Sequence, residues 1–368
     1  MFGIELRRIL FYVICLFAGS HAELKAQKYS NEFLGIGVGA RGHGMSGAQV
    51  ALTHDLTAAY WNPAGLTNIN EPYQAAAMHA EWFAGVGQYD YLAFGKQRKL
   101  EQKDFLALSL IRLGIDNIPY TINLIEPDGT VNYNNISRFS AADYALFGSY
   151  ARQMKIDGLS LGGSVKIIRR VIGKLGGAWG FGIDLGAQYE RGPWKMGLVA
   201  KDVTTTFNIW SFSLTELERT VFLETGNELP ESGLELTLPK LIAGISRQFN
   251  ISSGYTLTPA LDMEWTTDGR RNVLLNGKNL NLDVRLGAEL NYLKKFQFRA
   301  GVGGFQRLNK AFNPAEKYLS AQPNIGVGLI MNKLQIDYAL TNIATTGNLQ
   351  YSHVFSVLYA FNQRKKAS

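Results

Sequence analysis

Six residues near the amino terminus, Gly37-Val38-Gly39-Ala40-Arg41-Gly42, satisfy the G-x-G-x-x-G pattern that cradles a dinucleotide pyrophosphate. That chemistry needs a strand before the glycines, a helix after them and an acidic residue about 20 positions on. An apolar leader crowds out the strand, and Asp55 is badly spaced. Gly44-Met45-Ser46-Gly47 resembles an esterase elbow but lacks the final spacing of G-x-S-x-G. The five histidines (His21, His43, His54, His79, His353) show no metal-ligand spacing, and His43 and His54 are read as hydrogen-bonding polar residues of a packed segment. Asp262, Glu264, Asp283, Arg285, Glu289, Arg299 and Asp337 could suggest an acid–base cluster. Each alternates with apolar neighbours, so they are expected to pair across an interior. The sequence therefore nominates no catalytic, cofactor-binding or metal residue, and the expectation is a non-enzyme.

What positions these residues is a series of long strands. The leader comes first: Arg7 and Arg8, then an apolar run from Ile9 to Gly19, then a small-residue site with cleavage expected after Ala22 or Ala26. The run is too short for a membrane helix, which needs about 20 residues. Cys15, the only cysteine, falls within it, so a processed chain has neither disulfides nor thiolate chemistry. The net charge of +7 in an exported chain is read as a preference for anionic lipid or acidic partners, not nucleic acid.

Leu280 to Tyr292 places Leu280, Leu282, Val284, Leu286, Ala288 and Leu290 on one face and Asp283, Arg285 and Glu289 on the other. A soluble strand usually has about five or six residues, and a tilted membrane strand about 9–11. Length favours a barrel whose apolar face meets lipid and whose charges line the lumen. Roughly fourteen such segments follow Pro72, including 193–201, 235–249, 255–266, 295–304 and 333–342. Short turns such as Arg191–Gly192 and Leu293–Lys294 alternate with long connections such as Gly114–Phe139, Asp202–Leu234 and Phe305–Ala321. The expected fold class is all-β: a transmembrane barrel of about 14 antiparallel strands. The expected organisation is a signal peptide (1–26), an amino-terminal plug (27–72), a barrel (73–361) and a polar tail (362–368).

A barrel of that size is too wide for side chains to fill. The glycine-rich stretch SNEFLGIGVGARGHGMSGAQVALTHDLTAAYWNPAGL (30–66) is apolar enough to occupy it. Its features are Gly37-Val38-Gly39-Ala40-Arg41, Gly44-Met45-Ser46-Gly47 and Asn62-Pro63-Ala64-Gly65. On these residues the chain resembles the PorV/PorQ family of Bacteroidetes outer-membrane proteins, the PorV type above all, which are related to the FadL fatty-acid transporters. The resemblance covers about forty residues and implies Gly37, Gly39, Arg41, Gly44, Met45, Asn62, Pro63, Ala64 and Gly65 as a plug motif in a FadL-like barrel. It implies an integral outer-membrane component of type IX protein secretion, a non-enzymatic shuttle or scaffold. Such a protein takes cargo with a C-terminal β-domain from the translocon to the attachment complex.

On that reading the Asp202–Leu234 connection is the candidate cargo or partner loop. Trp210, Phe212 and Phe222 are its anchors, and Glu216, Glu218, Glu224, Glu228 and Glu231 its charged rim. The alternative is a FadL-like transporter of hydrophobic small molecules, with an apolar ligand in the lumen. In those relatives an Asn-Pro-Ala motif marks a lateral route; here Asn62-Pro63-Ala64 precedes the first strand.

Overall fold

The computed structural model describes residues 30–82, 85–99, 103–126, 128–310, 313–343 and 351–361. The expected signal peptide and polar tail lie outside the described residues, as does most of the connection 343–350.

Eighteen strands form one sheet. In chain order they are β1 (Tyr73–Trp82), β2 (Gly87–Lys99), β3 (Asp104–Tyr120), β4 (Ser137–Gln153), β5 (Leu159–Ile172) and β6 (Gly176–Arg191). Next come β7 (Trp194–Lys201), β8 (Thr206–Phe212), β9 (Gly233–Thr237), β10 (Lys240–Arg247), β11 (Phe249–Ser252) and β12 (Tyr255–Thr266). The last are β13 (Leu275–Asn276), β14 (Asn281–Tyr292), β15 (Phe296–Lys310), β16 (Asn313–Met331), β17 (Leu334–Thr341) and β18 (Ser352–Phe361). Fourteen of them close an antiparallel barrel, and the seam is the β1–β18 pairing from Tyr73↔Phe361 to Glu81↔His353.

The other four are accessory. β8 continues β7 past Asp202 and Thr205, both in left-handed backbone, and pairs with the far end of β6. β9 pairs with β8, and β10 with β7. Pro239, which has no N–H to give a ladder, separates β9 from β10. β11 and β13 are short additions beside β12 and β14.

The wall is inside-out. Leu92, Phe94, Leu108, Ile167, Leu198, Phe298 and Val357 are exposed on its outer face, while Ser164, Lys166, Asp262, Glu289 and Arg299 are buried on the inner one. Aromatic pairs ring the short-turn end, Tyr73 on Phe361 at 5.5 Å and Tyr255 on Tyr292 at 4.6 Å between centroids. Among the described residues no helix is long and apolar enough to cross a membrane, which leaves the strands to do so.

Residues 30–70 fill the interior as short helical turns: Glu32–Gly35, α1 (Ala40–Gly44), α2 (Ala58–Trp61) and Pro63–Asn68. Their apolar side chains form one core with the inner face of β1–β5, in which Val38, Leu56 and Leu66 meet Tyr89, Tyr91, Phe105, Phe147 and Ile168.

Two connections differ from the sequence expectation. Phe305–Ala321, expected as a loop, is a strand hairpin, because β15 and β16 keep pairing past a bulge near Gly303 as far as Lys310↔Asn313. Asp202–Leu234 contains β8 and a nine-residue helix, α3 (Glu216–Glu224), whose start is closed by a capping box between Thr215 and Glu218.

Candidate functional site

The interior divides into a closely packed anchor layer and a chamber above it, towards the long loops. In the anchor layer, Arg41 on α1 pairs with Glu289 at 2.8 Å. Arg299 bridges Glu289 at 2.7 Å and Asp337 at 2.6 Å, and its side chain is wholly buried. Asp262 caps the backbone N–H groups of Gln49 and Val50 at 2.8 and 2.9 Å. Of these five carboxylates and arginines, Asp262, Glu289, Arg299 and Asp337 come from β12, β14, β15 and β17, where strand alternation carries them inward, and Arg41 comes from the plug.

The plug-motif residues serve this packing. The Gly39 N–H donates to the Met78 sulfur at 2.9 Å, and Gly39 has φ +79° at the start of α1. Gly44 lies against the backbone of Gly326, where an added Cβ would sit 3.1 Å from the Gly326 Cα. Met45 is fully buried with Ala48, Leu52 and Ala260. Asn62 donates to the carbonyls of Val50 (2.8 Å) and Ala187 (3.0 Å) and accepts from the Ala64 N–H (3.2 Å), tying plug to β6. Pro63 and Ala64 press on Gly162 of β5, and Gly65 is covered by the Thr53 carbonyl.

His43 donates to the Gly37 carbonyl at 3.2 Å, and burial pushes its imidazole down to about 4. His54 contacts the Leu52 carbonyl at 3.0 Å. Ser46 accepts a bond from Asn324 at 2.6 Å; no histidine partners it among the described residues.

The chamber is a cavity of about 210 Å³ between the plug and β5, β6, β7, β10, β12 and β14. Leu34, Tyr60 and Phe147 give it apolar surface, and eleven charged side chains line it as well. Lys166 is held by Asp184 (2.8 Å) and Asp202 (2.5 Å). Glu264 is held by Lys240 (3.1 Å) and Arg285 (2.7 Å). Arg271 is held by Asp268 (2.5 Å) and Glu32 (3.3 Å). Lys201 lies with its Nζ 3.8 Å from the Tyr60 ring centroid and, among the described residues, has no carboxylate within ion-pair distance. Leu238 and Pro239 also line the cavity. There the wall is interrupted: β10 pairs with β12 up to Lys240↔Thr266, and the edge of β9 beyond has no strand on that side among the described residues.

Two of the three candidate loop anchors lie in a strand. Trp210 and Phe212 belong to β8, where each stacks on the other at 5.5 Å. Arg170 covers Trp210 at 5.0 Å, and the indole N–H donates to Glu235. Phe222 is on α3, half-buried. Sequence reasoning missed Lys201, Lys166 and Lys240. Alternation along 193–201 could have pointed Lys201 inward, but its position opposite Lys240 depends on pairing across forty residues of intervening chain. Pro239 inside an apparent strand was the available signal for the break.

No family model matches the chain, and no curated protein matches its sequence. Solved structures share its fold. The CymD monoaromatic hydrocarbon channel superposes with a TM-score of 0.56 at 15% identity, over 90% of this chain and 99% of that one. The Pseudomonas putida toluene transporter TodX gives 0.55 at 14% identity (89% and 99%). The Ralstonia pickettii toluene transporter TbuX gives 0.52 at 16% identity (89% and 99%). The fold is that of a closed, fourteen-stranded FadL-type barrel.

Proposed function

We propose that the chain is an outer-membrane barrel that admits small organic molecules from the outside into the chamber above its plug. The observation that carries this reading is the chamber's position, on the long-loop side of the plug and bordered by the broken wall at Leu238–Pro239. The solved structures of the same fold support it, since those proteins are named as toluene transporters and a monoaromatic hydrocarbon channel. On this reading the short turns face the periplasm, and residues 1–26 are removed during export. The test is uptake of radiolabelled toluene and of radiolabelled benzoate by cells with and without the protein, alongside a variant in which a disulfide between engineered cysteines at 238 and 267 bridges the break, and faster uptake of either probe supports the reading. Faster uptake that the bridge abolishes is expected. Equal uptake in all strains would overturn the reading.

A second reading, a shuttle or scaffold of type IX secretion, is favoured by the 30–66 stretch and by the folded structure over 206–237. Leu217 and Leu223 of α3 are left exposed there. Its partners would be the translocon, cargo C-terminal domains or attachment-complex proteins. Purification in mild detergent with mass spectrometry of retained proteins separates the two. Cargo or a very large barrel supports the shuttle; a solitary barrel does not.

A further inference from the structure

We propose that the chamber is an anion site, in which the Lys201 ammonium binds the carboxylate of a small organic acid. The proposal rests on the reading of the chamber as a ligand compartment, and it changes the ligand's chemistry from hydrocarbon to anion.

The argument begins with register. Lys201 at the end of β7 stands directly opposite Lys240 at the start of β10, and like charges so placed repel. Lys240 is neutralised by Glu264, which it shares with Arg285. Lys166, the next cation along the wall, has two aspartates. Every other cation lining the cavity is thus matched, and Lys201 alone is left without an anion among the described residues. It is also 93% buried by its relative exposure of 7%. A buried ammonium without a partner is costly. The Tyr60 ring beneath it offsets part of that cost as a cation–π contact, with the Trp61 ring farther off at 6.0 Å. A ring face engages one side of the ammonium, whereas its three N–H donors call for acceptors. The remaining side faces the cavity.

Size and lining set the ligand class. About 210 Å³ is too little for a long acyl chain and suits a compact acid. Leu34, Tyr60 and Phe147 would flank its apolar body, while the carboxylates of the lining are engaged by Lys166, Lys240, Arg271 and Arg285 and so are held away from its head. A bare hydrocarbon would leave the ammonium unmatched and displace water from charged walls. The chamber therefore selects against the ligands for which the structurally similar channels are named.

The test is equilibrium binding to the full barrel in detergent, followed by calorimetry and by tryptophan fluorescence, with benzoate, acetate, inorganic phosphate and toluene as probes. Benzoate is expected to bind the parent and to lose at least tenfold in affinity in Lys201→Met and Lys201→Gln, with Lys201→Arg retaining it within about threefold. Toluene is expected to bind no better to the parent than to Lys201→Met. Preserved heat-modifiable migration on gels establishes that each variant is folded, and Lys201→Gln serves if Lys201→Met is not. Failure of all three anions to bind the parent above an equal concentration of chloride overturns the proposal, as does anion binding that Lys201→Met and Lys201→Gln leave intact. Toluene uptake with no anion binding would overturn the anion site and keep the conduit. Anion binding without uptake would do the reverse.

Discussion

The anchor layer and the chamber are both built from inward-facing charges of the wall, with β12 and β14 contributing to each, and they differ in how completely charge is matched. In the anchor layer Arg41, Glu289, Arg299 and Asp337 form a closed set, each buried and each answered. In the chamber the same alternation delivers Lys166, Lys201, Lys240 and Arg285, and one of them, Lys201, is answered only by aromatic rings. Full matching makes a fixed structural element, since breaking a buried pair strands a charge. Incomplete matching leaves room for something that is not part of the chain. The lesson is that in a barrel lumen the informative residue is the exception in the ion-pair network, not the network itself.

The strongest way to break that contrast is Arg299→Met. It leaves Glu289 and Asp337 short of a partner and is expected to lower stability by about 3–5 kcal/mol, read as the urea midpoint of heat-modifiable migration. Lys201→Met gives up a cation–π contact, worth about 2 kcal/mol when desolvated, together with the cost of burying an unpaired ammonium, and the two are expected to offset to within about 1 kcal/mol. If the two variants fall together, the two layers are not different in kind. Next in size is Asn62→Ala, which removes hydrogen bonds to the Val50 and Ala187 carbonyls. A loss of about 1–3 kcal/mol and a rise in protease cutting within residues 48–70 are expected. Gly44→Ala sets a Cβ 3.1 Å from the Gly326 backbone, and about 1 kcal/mol with greater permeability to small solutes in liposomes is expected.

The smallest effect concerns pH. His43 is held neutral by burial, with its imidazole pushed from 6.5 down to about 4. Between those values the unfolded chain binds the proton and the folded one does not. Its contribution is therefore complete above pH 6.5 and is lost as pH falls towards 4. His43→Gln is expected to flatten the midpoint-against-pH curve over that window.

Much of this was legible in the sequence for a physical reason. Period-two alternation over a dozen residues, as in Leu280–Tyr292, fixes which side chains face lipid and which face inward, and the burial of Glu289 follows from it directly. The strand count followed by the same rule. Cross-barrel geometry did not follow, because which inward charges meet depends on register and on where the plug threads. Arg299 reaching both Glu289 and Asp337 is visible only once β14, β15 and β17 are laid side by side. Trp210 and Phe212 looked like loop aromatics because their alternation is short and Asp202–Thr205 interrupts it, which concealed the continuation of β7 into β8.

The plug touches nearly the whole circumference of the wall: α1 packs on β15–β18, and Pro63–Asn68 on β3–β6. Glycines such as Gly162 and Gly326 bring wall and plug backbones into contact. Apart from the chamber, plug and wall therefore share close contacts along these strands. The seam between β1 and β18 joins residues almost three hundred positions apart, the slowest kind of contact to form. The order of assembly is thereby constrained. The amino-terminal segment has to be in place as the sheet curls, acting as the mandrel around which the cylinder is wound, and the seam closes last.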